Sequence, residues 1–203
     1  MSQDADFAEA DWLAAARADV AALGRLLERY RTYLTLLARV QIGRRLRGKA
    51  DPADLVQDTF LEAHRNFDQC RAATEPVFLA WLRRILASQT ARIVRRYGGT
   101  QARDVDLERT LAHELDSSSD ALGRSVADRG ESPSGTAARR EQAVLLADAL
   151  DRLAPDYREV IVLRQLEGLP FEAVAERMGR TVDAVQKLWV RGLSRLRGEF
   201  EGG

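Results

Sequence analysis

Near the C-terminal end of the 203-residue chain, Asp183, Gln186, Lys187, Val190, Arg191 and Ser194 recur at helical spacing, which gathers their side chains on one face. Val182, Val185, Leu188, Trp189, Leu193 and Leu196 form the opposite, apolar stripe. Between Arg180 and Arg197, five cations (Arg180, Lys187, Arg191, Arg195 and Arg197) stand against one acid, Asp183. Cationic side chains neutralise phosphates, and lysine, arginine and glutamine also bond base edges in a major groove. The polar stripe therefore has the chemistry of a DNA-contacting surface.

Two turns frame that helix. Glu167-Gly168-Leu169-Pro170 ends a helix over Tyr157–Leu166 and begins another over Phe171–Met178, because glycine tolerates a left-handed cap and proline fits a first helical turn. Gly179-Arg180-Thr181 supplies the second turn, with the Thr181 hydroxyl as the expected N-cap. The pattern is that of a helix-turn-helix. Plain helical bundles share its periodicity, so the rest of the chain must discriminate.

The total charge is zero, with 31 basic and 31 acidic residues, but the charges are segregated. Asp51 to Asp68 carries Asp51, Asp54, Asp58, Glu62 and Asp68 against Arg65. Arg83 to Arg96 carries Arg83, Arg84, Arg92, Arg95 and Arg96 with no acid. An acidic helix beside a basic one suggests two partners of opposite sign. The carboxylates of Asp54, Asp58 and Glu62 fall on one helical side and could in principle chelate magnesium in a nuclease. No nucleophile–base pair, Gly-rich phosphate loop or metal-ligand cluster accompanies them, so a docking face is the simpler reading and no catalytic residue is assigned.

Composition narrows the class further. The sequence has 45% apolar residues, enough to bury cores. It has no apolar run of membrane-spanning length, and Asp4, Asp6, Glu9 and Asp11 do not resemble a signal peptide. A cytoplasmic location without membrane insertion is expected. Cys70 is the single cysteine, and His64 and His113 lack ligand spacing, so neither metal nor cofactor is expected.

The positioning elements read as helices throughout, with no strand pattern and no internal repeat. Phe7–Leu23 predicts a first helix, interrupted at Gly24 before the stripe Leu26, Leu27, Tyr30, Leu34, Leu37 and Ala38. Asp51-Pro52 starts a third, with Val56, Phe60, Ala63 and Phe67 inward and Asp54, Gln57, Asp58 and Glu62 presented. A fourth runs from Glu75-Pro76 through Phe78, Trp81, Leu82, Ile85 and Ile93 to Arg96, closed by Gly98-Gly99. Trp81 sits at core spacing. From Thr100 periodicity weakens: Leu107, Leu111 and Leu115 suit one short helix, but Asp116 to Ala138 is rich in Ser, Gly and Asp, a linker composition. The expectation is an all-α protein of two helical domains, 1–99 and 141–203, joined by a flexible linker over 100–140.

Three blocks now carry a family likeness. Asp51-Pro52-Ala53-Asp54-Leu55-Val56-Gln57-Asp58-Thr59-Phe60-Leu61, then Phe78-Leu79-Ala80-Trp81-Leu82-Arg83-Arg84-Ile85, then Tyr157–Arg164 with Glu167-Gly168-Leu169, resemble bacterial sigma-70 family factors of the extracytoplasmic function (ECF) group. They occur in family order and cover roughly residues 25–99 and 141–198. The Ser-Pro linker and the run Leu188-Trp189-Val190-Arg191 look most like the planctomycete type.

The resemblance implies that Asp54, Gln57, Asp58 and Glu62 dock on the clamp helices of the RNA polymerase beta-prime subunit. It implies that the loop Asp68–Glu75, with Gln69 and Arg71, and the basic helix, with Arg84, Ser88, Arg92, Arg95 and Arg96, engage and help open the promoter minus-ten element. Gln69-Cys70-Arg71-Ala72-Ala73 offers polar groups and small side chains for a base pocket, and Arg92, Arg95 and Arg96 are suited to track phosphates. Arg180, Thr181, Asp183, Gln186, Lys187 and Arg191 would read the minus-thirty-five element while their domain rests on the beta flap. The family also admits an anti-sigma factor as partner.

Departures bear on specificity. Ser88 and Gln89 stand where the family often has Asn, Asp183 replaces a common Gly, and Gln186 a frequent basic residue. Asp183 suits the positive helix end but repels phosphate, whereas Gln186 can bond adenine; an unusual promoter is expected. About 40 flexible residues have a relaxed span of about 35 Å and stretch to about 130 Å. Elements about 25 base pairs apart are separated by about 85 Å, so the free chain is expected to bind promoters weakly until polymerase holds its domains. The rival reading, a helix-turn-helix regulator acting without polymerase, leaves the N-terminal half unexplained.

Overall fold

The computed structural model describes residues 12–45, 50–98, 104–127 and 136–201, and among them every regular element is helical. The chain divides into two compact units, Met1–Asp116 and Ser117–Gly203.

In the first unit the described part of α1 covers residues 12–18, followed by α2 (Val20–Arg29), α3 (Arg31–Arg45), α4 (Pro52–Arg65), a short 3-10 turn (Phe67–Gln69) and α5 (Glu75–Gly98). The expected break at Gly24 is absent. Asp19 makes the break instead, accepting hydrogen bonds from the Ala21 and Ala22 amides at 3.0 and 3.1 Å, and α2 runs through Gly24. A side chain that satisfies two orphan donors fixes a helix start, whereas a lone glycine only weakens a helix. Phe7 to Asp11 lie outside the described residues. Asp51 caps α4 as expected, accepting from the Ala53 amide at 2.7 Å with Pro52 in the first turn.

Val56, Phe60, Ala63 and Phe67 are buried on α4 and the turn after it, and Phe78, Leu82 and Ile85 are buried on α5. Phe78 is the centre of an aromatic cluster, with Trp12, Tyr30, Phe67 and Trp81 at centroid distances of 5.7–6.3 Å. Such pairs contribute about 0.5–1.5 kcal/mol each beyond their area. Half-buried Trp81 is thereby part of the packing, as its spacing indicated. Glu75, at the start of α5, is buried, and its carboxylate accepts from the Tyr30 hydroxyl at 2.8 Å.

The largest departure from expectation lies in 100–140. Instead of a flexible linker, Asp104–Ala127 forms α6, and α7 (Thr136–Arg152) begins before residue 141. Leu111 and Leu115 are buried as an apolar stripe, and so are Leu122, Ser118 and Ser119. The Ser- and Asp-rich composition concealed this helix because its acids find arginines far away in sequence. Asp116 accepts from the Arg83 guanidinium at 2.7 Å, and Glu114 pairs with Arg45. Residues 128–135, including Ser132-Pro133, lie outside the description.

The second unit contains α7, α8 (Pro155–Ile161), a π turn (Val162–Leu166), α9 (Phe171–Met178) and α10 (Val182–Glu201). The expected single helix Tyr157–Leu166 thus widens in its second half, where the Glu167 amide reaches back to the Val162 carbonyl. Gly168 and Gly179 adopt φ of 73° and 62°, the left-handed conformation that side chains other than glycine's resist. At Gly192, α10 crosses α8 so closely that an added Cβ would stand 3.2 Å from Ile161 Cδ1.

Candidate nucleic-acid interface

On α4, Asp54, Gln57 and Asp58 are exposed on one face. Glu62 is half-buried and engaged at its own helix end: its carboxylate accepts from Asn66 at 2.6 Å and lies 3.7 Å from Arg65. A cleft of about 550 Å³, lined among others by Asp51, Asp54, Asp58, Ile93, Arg96 and Tyr97, joins this acidic face to the C-terminal end of α5. The acidic and basic surfaces are therefore neighbours. Among the described residues no group of three or more His, Cys, Asp or Glu is placed to hold a metal ion.

The basic set on α5 separates into two kinds. Arg83, counted with the cations by sequence, is withdrawn from the surface: it is 1% exposed, donating to Asp116 and, at 3.1 Å, to the Tyr33 hydroxyl. Burial alone would lower its affinity for a proton, but Tyr33 and Asp116 more than offset that and raise it. Arg83 is structural. Arg84, Arg92 and Arg96 are exposed, and with Ser88 and Arg95 they follow helical spacing along one side. Arg92 donates to Gln89 at 3.0 Å. The Arg96 guanidinium lies 6.0 Å from the Tyr97 ring centroid. Ser88 and Arg95 converge on one α6 carboxylate, Glu108, at 3.4 and 4.0 Å. An acid from the presumed linker thus occupies the middle of the basic stripe.

The loop after α4 has Gln69 and Arg71 exposed while Cys70 and Ala72 are buried. It borders a hollow of about 350 Å³, lined by Arg17, Phe67, Asp68 and residues 70–73. Arg17 escaped the sequence reading. Its partners, the carbonyls of Cys70 and Ala72, lie more than fifty residues away, and no local spacing signals them.

On α10 the sequence pattern is realised face by face. Val185 and Leu196 are buried, Val182, Leu188, Trp189 and Leu193 are half-buried, and Asp183, Gln186, Lys187, Val190, Arg191 and Ser194 are all exposed. The Thr181 hydroxyl accepts from the Ala184 amide at 3.3 Å, so it caps the helix. Arg180 is paired with Asp156 of α8. Lys187 donates to Asp183 at 2.7 Å one turn earlier. Asp183, Gln186, Lys187, Val190 and Arg191 together border a shallow groove of about 280 Å³.

These surfaces fall within two stretches that match known families. Residues 28–102 match the model of sigma-70 region 2, and residues 143–196 that of sigma-70, region 4. The ECF RNA polymerase sigma-E factor of Haemophilus influenzae is 30% identical over 168 residues, spanning 83% of this chain and 82% of that protein. The RNA polymerase sigma factor CarQ of Myxococcus xanthus is 33% identical over 163 residues, spanning 79% and 82%. With both regions present in order and relatives aligned along most of their length, the chain belongs to the sigma-70 family of RNA polymerase sigma factors, in its ECF group.

Proposed function

We propose that this chain binds core RNA polymerase and directs promoter recognition, promoter opening and transcription initiation through three separate surfaces. The observation that carries the reading is the charge division within region 2: exposed acids on α4 adjoin an exposed basic stripe on α5. Asp54, Gln57 and Asp58, with Glu62 at the margin, dock on the clamp helices of the beta-prime subunit. Opposite charges across such a contact steer association and fix register.

Arg84, Ser88, Arg92, Arg95 and Arg96 follow the backbone of the minus-ten element, and the loop with Gln69 and Arg71 receives a base extruded from it. Extrusion costs a few kcal/mol, to be offset by contacts to the base and by cations on the phosphates of the separated strand. Arg180, Thr181, Asp183, Gln186, Lys187 and Arg191 form the minus-thirty-five surface, with the domain against the beta flap. Exposed Val190 adds an apolar contact of the kind that recognises a thymine methyl. Arg180 reaches DNA only by leaving Asp156.

Transcription reconstituted with core polymerase on a genomic fragment library tests the proposal, with and without the chain. Discrete new start sites sharing one upstream motif are expected, and Asp58→Arg should lower core affinity while leaving the fold intact. Start sites independent of the chain would refute the function; unchanged core affinity in Asp58→Arg would remove α4 from the docking surface.

A further inference from the structure

We infer that Arg17, on the helix that precedes both family-matched segments, is a positioning residue that shapes the loop receiving the extruded minus-ten base. The inference rests on the reading of that loop given above. Helix α1 is fixed to the region 2 core: Leu13 and Ala16 are buried, and Trp12 meets Phe78 edge-on at 6.0 Å. From that anchored helix the Arg17 Nη2 donates to the Ala72 carbonyl at 2.8 Å and approaches the Cys70 carbonyl at 3.5 Å.

Residues 70–73 have no regular secondary structure, so no ladder or helix fixes their backbone. Holding the carbonyls at 70 and 72 keeps those residues turned inward, where Cys70 and Ala72 are buried, and leaves Arg71 between them exposed. A receptor loop ordered in advance avoids the entropy cost of ordering on capture. Arg17 also lines the hollow itself, with Phe67, Asp68 and Arg71. A guanidinium has five N–H donors, and among the described residues Arg17 is bonded only through Nη2. The family match to region 2 begins at residue 28, so this positioning contact comes from outside the recognised region.

The test uses holoenzyme assembled from the full chain and core polymerase, on four templates that differ only at the captured minus-ten position. Open-complex formation gives the ratio of best to worst base. Arg17→Ala is expected to shrink that ratio at least about fivefold, with core affinity and minus-thirty-five discrimination unchanged. Arg17→Lys, which can still donate to the Ala72 carbonyl, should recover part of it. A ratio unchanged in both variants overturns the inference, even if thermal stability falls. Arg71→Ala separates the two levels: if it alters base choice and neither Arg17 variant does, only the role of Arg17 fails, whereas if none of the three does, the loop is not the base receptor.

Discussion

Helices α5 and α10 carry comparable numbers of cations, yet the best-paired cation of each is held differently. On α10 the polar face is self-contained: Lys187 is paired with Asp183 four residues back, and the cap comes from Thr181 at the helix start. On α5 Arg92 has a local partner in Gln89, but other partners are remote. Arg83 is buried against Tyr33 and Asp116, fifty and thirty-three residues away, and Ser88 and Arg95 converge on Glu108. The same residue type is therefore a solvent-facing group at one position and a core component at another. What decides is whether a complementary charge from another element comes over it.

The largest effect that would break this contrast is in stability. Arg83→Ala should cost about 3 kcal/mol, because it removes a buried charge from its partners and leaves a void. Arg191→Ala, on an exposed face, should stay within about 0.5 kcal/mol. Urea unfolding of the two variants measures both, and equal losses would erase the distinction. A sharper, intermediate test concerns α10 alone. Lys187→Ala should weaken binding to the upstream element and lower the salt slope by about one, whereas Asp183→Asn, which frees Lys187 from its ion pair, should strengthen it. Titrations at several salt concentrations read both, and if Asp183→Asn weakens binding the acid contacts DNA itself. The smallest effect is expected at Glu108→Gln. Exposed or partly exposed pairs stabilise by less than about 1 kcal/mol, so melting should barely shift, but affinity for single-stranded DNA should rise as a negative charge beside Ser88 and Arg95 is removed. No rise would mean that Glu108 does not screen the stripe.

The same contrast explains what was legible in the sequence. The Asp51 cap, the buried face of α4 and the six exposed positions of α10 were all readable, since each depends on neighbours within one or two turns. The break at Asp19 was local too, but Gly24 drew attention from it. Arg17, the burial of Arg83 and the extent of α6 beyond the short helix of Leu107, Leu111 and Leu115 were not readable. Each is defined by a bond spanning tens of residues, and composition alone makes a Ser- and Asp-rich stretch resemble a linker when its acids are in fact bound to distant arginines. Among the candidate residues, exposure and spacing were anticipated for Asp54, Gln57 and Asp58 on α4 and for the polar stripe of α10, but not the half-burial of Glu62. On α5 the count of cations by sequence included Arg83, which the fold buries.

Helix α6 also shortens the chain between the two family-matched stretches. A helical residue advances about 1.5 Å where extended chain covers about 3.3 Å. With Asp104–Ala127 coiled, those residues span about 36 Å instead of the roughly 79 Å they would cover as extended chain. Unwinding one turn would release about 7 Å. Any lengthening of this stretch must therefore first melt helix, whose hydrogen bonds a merely disordered tether would not have to break.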